Sequence, residues 1–150
     1  MILIEYQLLT LKLLRSEFQP NPDFDEKLTL AQGGANDIRL SIKNSGNFND
    51  ADNTANFKQS FSIEGNTFMP FSMDVELEAV FRLTSQLPPE DRADCIGTVF
   101  PHAVFPYLRE HVSNMTIRGG FPPMILQLAY PGPMGGGGKP GAEPVIKWVH

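Results

Sequence analysis

From Phe71 to Leu83 every odd position is apolar: Phe71, Met73, Val75, Leu77, Ala79, Phe81 and Leu83. The even positions include Ser72, Asp74, Glu76, Glu78 and Arg82. Successive side chains of a strand point to opposite faces. A period of two held this long therefore predicts one strand with a dry face and a wet, acidic one. A chain containing it must supply further strands, and a layer to cover the dry face.

Three other segments fit that demand. Residues 2–15 alternate, with Ile2, Ile4, Tyr6 and Leu8 on one face and Leu9, Leu11 and Leu13 on the other. The phase change at Leu8-Leu9 predicts a β-bulge, or a strand buried on both sides in an oligomer. Pro20 and Pro22 end this strand, and Gly33-Gly34 signals a turn. Ile38, Leu40 and Ile42 alternate with Arg39, Ser41 and Lys43, which reads as a second strand. Residues 44–56 are rich in Asn, Asp, Ser and Gly around Phe48, which predicts a long hairpin loop. Phe57, Gln59, Phe61 and Ile63 give a third strand, broken at Gly65-Asn66. Four strands without helices between them imply a largely antiparallel sheet, hence an α+β fold once the next segment is added.

After Pro88-Pro89, the acids Glu90, Asp91 and Asp94 suit a helix N-terminus. Pro101 and Pro106 interrupt the stretch beyond them, which predicts a short helical piece leading into a longer helix that starts at Pro106. Leu108, Val112 and Met115 lie on one face of that helix, and Gly119-Gly120 stops it. An extended apolar stretch carries Phe121, Met124 and Leu126. Ten of the fourteen residues 131–144 are Gly or Pro, which reads as a flexible extension. The expected division is one domain over residues 1–130 and an extension over 131–150, in which Val145, Ile146 and Trp148 suit a short docking strand.

Composition removes several functions. Twelve basic residues face 17 acidic ones, for a net charge of −5, and no basic run exists, so a nucleic-acid binder is not expected. One cysteine, Cys95, excludes a disulfide scaffold and fits a reducing compartment. The apolar residues 1–14 include Glu5 and Lys12, are too short to span a bilayer and lack signal-peptide features; a cytoplasmic protein without membrane insertion is the expectation.

Four features are candidates for chemistry or binding. Cys95 with His102 or His111 is the available thiol–imidazole pair, and a buried thiol beside surface histidines is the plainer reading. These residues lack metal-ligand spacing, and Gly135 to Gly138 with Lys139 is no phosphate loop because Pro140 follows. No cofactor, metal or enzymatic activity is expected. Asp74, Glu76 and Glu78 stand about 7 Å apart along one strand face. They form a solvated face, a carboxylate pair or, better, an acidic surface for a basic partner. Val99, Phe100, Val104, Phe105 and Tyr107 cluster around two prolines, followed by Phe121 and Met124; they fill a core or line a groove.

Cys95-Ile96-Gly97, Pro101, Phe105-Pro106-Tyr107-Leu108-Arg109-Glu110, Met115 and Arg118-Gly119-Gly120-Phe121-Pro122 together resemble the signature of the SecB family of protein-export chaperones, with no gap in spacing. The likeness is strong over about residues 71–128 and weak over 2–70. It implies a four-stranded antiparallel sheet packed against one long helix, in a homotetramer built as a dimer of dimers. It implies an ATP-independent holdase for unfolded polypeptides, which passes its clients to the SecA motor. Phe71, Met73, Val99, Phe100, Phe105, Phe121 and Met124 would then line the client groove, with Val99 standing where the family has Tyr. Asp74, Glu76 and Glu78 would form the SecA-type docking face. Two acidic family positions of that face fall at Arg15 and Gln19, and the Gly-rich segment stands in place of the family's second helix. A chaperone dedicated to one partner, such as the antitoxin of a toxin–antitoxin pair, is the alternative.

Overall fold

The computed structural model describes residues 4–22, 24, 40–64 and 69–126, with the backbone of 146–148. Strand β1 spans Tyr6–Pro20, β2 Leu40–Asn49, β3 Thr54–Ile63 and β4 Phe71–Leu83. They form one sheet in the order β1-β4-β3-β2, with every neighbouring pair antiparallel. The alternating strand is β4, and it is central. All seven of its odd side chains are buried.

Three elements differ from their sequence expectations. The predicted long loop over 44–56 is mostly strand: β2 runs on to Asn49, β3 starts at Thr54, and only four residues connect them. Phe48 pairs with Ala55 and Gly46 with Phe57, so an inward row continues through the polar stretch. The inward-facing Asn44 is tied by a hydrogen bond from Gln59 Nε2 at 3.1 Å. A side chain at Gly46 would meet the Asn56 carbonyl at 2.7 Å. The loop holds Asn53 at φ 55°, a left-handed conformation that Asn tolerates, and its amide caps the end of β4 through Leu83 and Ser85 carbonyls.

β1 carries the predicted bulge at Leu9 and a second one at Leu14. Each extra residue restores the phase. Tyr6, Leu8, Leu11, Leu13, Ser16 and Phe18 therefore all stand opposite odd residues of β4, on the inner face. Leu11 and Leu13 share the face of Tyr6 and Leu8, instead of crossing to the other side as the sequence suggested.

One long helical segment covers the inner face. It comprises α1 (Pro89–Asp94), a π-helical turn (Cys95–Val99) and α2 (Phe100–Arg118). The wider turn closes with the Phe100 N–H donating to the Cys95 carbonyl, immediately before Pro101, which has no N–H to donate. Pro106 lies inside α2 and not at its start, as first expected. Phe100 is the hub of one aromatic cluster: its ring stacks on Phe81 with centroids 4.3 Å apart and meets Phe57 at 5.8 Å. The ion pair between Arg92 and Asp50 fastens α1 to the β2–β3 loop.

β5 (Met124–Leu126) follows the helix, and β6 (Ile146–Trp148) pairs with it antiparallel. Of the docking strand expected at Val145, Ile146 and Trp148, residues 146–148 are present as β6, and Val145 lies outside the described residues. The turn at Gly33-Gly34, Ile38, the Gly65-Asn66 break and the Gly-rich run lie outside the described residues.

Candidate functional site

The end of α2 is locked to the sheet. Gly120 N–H donates to the Ile117 carbonyl and Phe121 N–H to the Thr116 carbonyl, both at 3.0 Å, a complete Schellman stop. Gly120 takes φ 86°. Gly119 gives way to an aromatic ring: a Cβ there would lie 2.4 Å from the ring of Phe18. That ring belongs to a second aromatic cluster, with Phe18 5.0 Å from Phe71 and Phe71 5.1 Å from Phe121.

The seven residues expected to line a groove divide by depth. Phe71, Met73, Phe100, Phe105 and Met124 are buried inside the protomer and form its core. Val99 and Phe121 are partly exposed. The apolar surface that is open lies largely elsewhere. Tyr6 (39% exposed) and Leu13 (48%) face inward by register, yet both stay partly open. The bulge residue Leu14, Tyr107 and Ile117 of α2, and Ile125 of β5 are also exposed. α2 runs alongside β1: Phe100 lies near Tyr6, His111 and Met115 contact Ser16, and Gly119 receives Phe18. The partly open groups of β1 therefore border the helix at an edge strand whose outer side has no partner among the described residues. Sequence periodicity missed this surface because Leu13 and Leu14 read as ordinary strand residues. The signal was the Leu13-Leu14 doublet, a repeat of Leu8-Leu9.

On the outer face of the sheet, the carboxylates of Asp74, Glu76 and Glu78 do not stand alone. Arg15 on β1 lies 3.0 Å from Asp74 and 3.8 Å from Glu76, and Lys58 on β3 lies 4.0 Å from Glu78. Lys12 stands opposite Glu78 on the β1 side. The stripe that is acidic in sequence is flanked by cations across the strands, so the face alternates in charge.

Cys95 is fully buried, and burial with the nearby Asp91 and Asp94 pushes its thiol up to about 11. A thiolate nucleophile is therefore disfavoured there. His102 Nδ1 lies 2.6 Å from the Thr98 carbonyl. His111 Nε2 lies 2.9 Å from Ser16 Oγ, and burial, aided by Arg118, lowers its pKa from 6.5. The described residues hold no group of three or more His, Cys, Asp or Glu arranged to bind a metal. No described helix is long and apolar enough to cross a membrane.

The arrangement presents apolar surface and an open strand edge, which suits binding of a polypeptide more than chemistry on a small molecule. A family model described as "Preprotein translocase subunit SecB" matches residues 21–129. A protein-export protein SecB of Neisseria meningitidis is 41% identical over 56 residues, which is 37% of this chain and 37% of that protein. One from Thiobacillus denitrificans is 39% identical over 56 residues, 37% of this chain and 36% of that protein. The matched stretch is thus little more than a third of those relatives' length. Among solved structures, a SecB-like chaperone of Mycobacterium tuberculosis in complex with a ChAD peptide from an antitoxin superposes with a TM-score of 0.65 at 20% identity. It covers 82% of this chain and 90% of that one. A Streptococcus agalactiae protein of unknown function gives 0.53 at 8% identity, over 85% of this chain and all of that one.

Proposed function

Since the chain belongs to the SecB family, we propose that it is an ATP-independent chaperone that holds unfolded polypeptide on apolar surface. The observation that carries this reading is the partly open apolar seam of β1 and α2, where Tyr6, Leu13, Leu14 and Tyr107 are exposed beside a strand edge that has no partner among the described residues. Such an edge offers backbone hydrogen bonds and side-chain burial to a chain that has neither. Val99 and Phe121 are the groove residues that a client reaches, with Phe71 backing Phe121. Self-association into a homotetramer would cover part of the same seam, and many weak contacts on a multimer sum through effective concentration. The reading places the protein in the cytoplasm. The test is suppression of aggregation of a denatured client without nucleotide, with the assembly measured by light scattering. A monomer without effect on aggregation sinks the proposal. Leu13→Asp with Leu14→Asp is expected to leave the protomer folded while weakening assembly or client capture.

A second reading narrows the client set. Because Arg15 and Lys58 already pair with Asp74, Glu76 and Glu78, a basic SecA-type partner would have to compete with cations of the chain itself. This favours a chaperone dedicated to one partner over an export chaperone, in line with the antitoxin peptide held by the M. tuberculosis neighbour. Co-purification from the native cell separates the two: SecA with many precursors, or one small protein.

A further inference from the structure

β5 is gripped along the helix side. The Met124 N–H donates to Thr116 Oγ1 at 2.9 Å, and that hydroxyl is itself anchored to the Ser113 carbonyl at 2.8 Å. Thr116, Met124 and Leu126 are all buried. The strand is therefore fixed on the surface of α2 with its other edge turned outward, and Ile125 is exposed between the two anchored residues. β6 takes that outward edge, in the register Met124↔Trp148, Ile125↔Lys147 and Leu126↔Ile146.

The way β6 is connected is unlike a hairpin. Antiparallel neighbours are usually joined by two to five residues whose turn type sets the register. Here residues 127–145 intervene, and ten of these nineteen are Gly or Pro. A connection of nineteen residues does not fix the pairing as a two-residue hairpin turn does, so the register comes from the strands themselves. The ladder is three residues long, against a usual five or six. A segment tethered in this way meets its site at an effective concentration on the order of millimolar, and so occupies it even when its intrinsic affinity is weak. A rigid, preformed acceptor edge and a weak, tethered strand are the two parts of a displaceable pair.

We propose that the outward edge of β5 is a binding site for an extended apolar peptide segment, and that residues 146–148 are its tethered occupant, which an unfolded client displaces. The client's identity as unfolded polypeptide rests on the holdase reading above; the exchange at β5 stands on the pairing itself. Backbone hydrogen bonds from β5 hold the incoming segment. The occupant lowers the apparent affinity for every client by the fraction of time it covers the edge. It thereby sets a threshold that short or weakly apolar segments fail to pass.

The test compares the full chain, a variant lacking residues 145–150, and a full-length Lys147→Pro variant, which lacks the backbone N–H opposite Ile125. The probe is a fluorescein-labelled peptide carrying the sequence of residues 145–150, read by anisotropy. Far-UV circular dichroism and the thermal midpoint establish that both variants fold. The proposal expects both variants to bind the probe roughly five-fold or more tighter than the full chain, and an unlabelled apolar client peptide to displace it. Equal binding to all three proteins, or none to any, overturns it. Probe binding that a client peptide does not compete away overturns it as well. The aggregation assay runs in parallel: if no form suppresses aggregation, the holdase reading fails whatever the probe does at β5.

Discussion

β1 and β4 lie side by side in one sheet, and they follow different rules. β4 advances one residue per step and hides every odd side chain. β1 skips a residue twice, and two of its large apolar inward side chains, Tyr6 and Leu13, are exposed. The difference lies in their far neighbours. β4 has β3 on its other edge, so its whole environment is supplied by the protomer. β1 has no strand there among the described residues, and the helix reaches only part of its inner face. A strand enclosed on both edges needs strict alternation, whereas an edge strand can carry apolar groups that something else must cover.

That contrast can be broken at its strongest point first. Phe100→Ala removes the ring that stacks on Phe81 beneath the enclosed strand, and should cost about 3–5 kcal/mol in equilibrium denaturation. A loss below about 1 kcal/mol would mean that this cluster is not what holds the helix to β4. Gly119→Ala tests the junction of β1 with the helix end. Its new methyl group meets the Phe18 ring, and a loss of about 1–3 kcal/mol is expected. Gly97→Ala is the control: a Cβ there has nothing within 4 Å, so the change should be neutral or stabilising by up to about 1 kcal/mol.

The β1–helix seam also has a pH signature. The pKa of His111 lies below its ordinary 6.5 in the folded protein, so the unfolded chain takes up the proton first. Stability should therefore fall as pH drops from about 6.5 toward the lowered value, and His111→Gln should flatten this dependence. An unchanged slope in denaturation midpoints would show that the seam does not desolvate the ring. The smallest effect is expected on the outer face, where Arg15→Gln breaks two exposed ion pairs and should change stability by no more than about 1 kcal/mol. A larger loss would show that the charge alternation is structural.

How much of this was legible follows the same division. β4 announced itself because both of its faces have fixed and opposite environments. The helix stop was legible too, since Gly119 and Gly120 each meet a steric demand that Gly alone satisfies cheaply. The first bulge showed in the Leu8-Leu9 doublet, and the second left the same mark at Leu13-Leu14. The continuation of β2 through Asn44 and Gly46 was not legible. An inward amide is acceptable only beside Gln59, and an inward glycine only where the Asn56 carbonyl approaches closely, and neither condition shows in local composition. The depth of the expected groove residues was hidden for a similar reason. Phe71 and Phe121 look alike in sequence, but Phe71 lies in the sheet layer and Phe121 at the helix exit, and only packing separates them.

The two bulges of β1 also limit how the protein can stick to itself. An open, regular strand of fifteen residues would invite copies to add indefinitely, each new edge identical to the last, as in a fibril. Two extra residues break the backbone ladder at fixed points and increase the local twist. A second strand can then match this edge over short stretches only, in few registers. Apolar groups exposed along an irregular edge therefore carry less risk of runaway polymerisation than the same groups on a regular one.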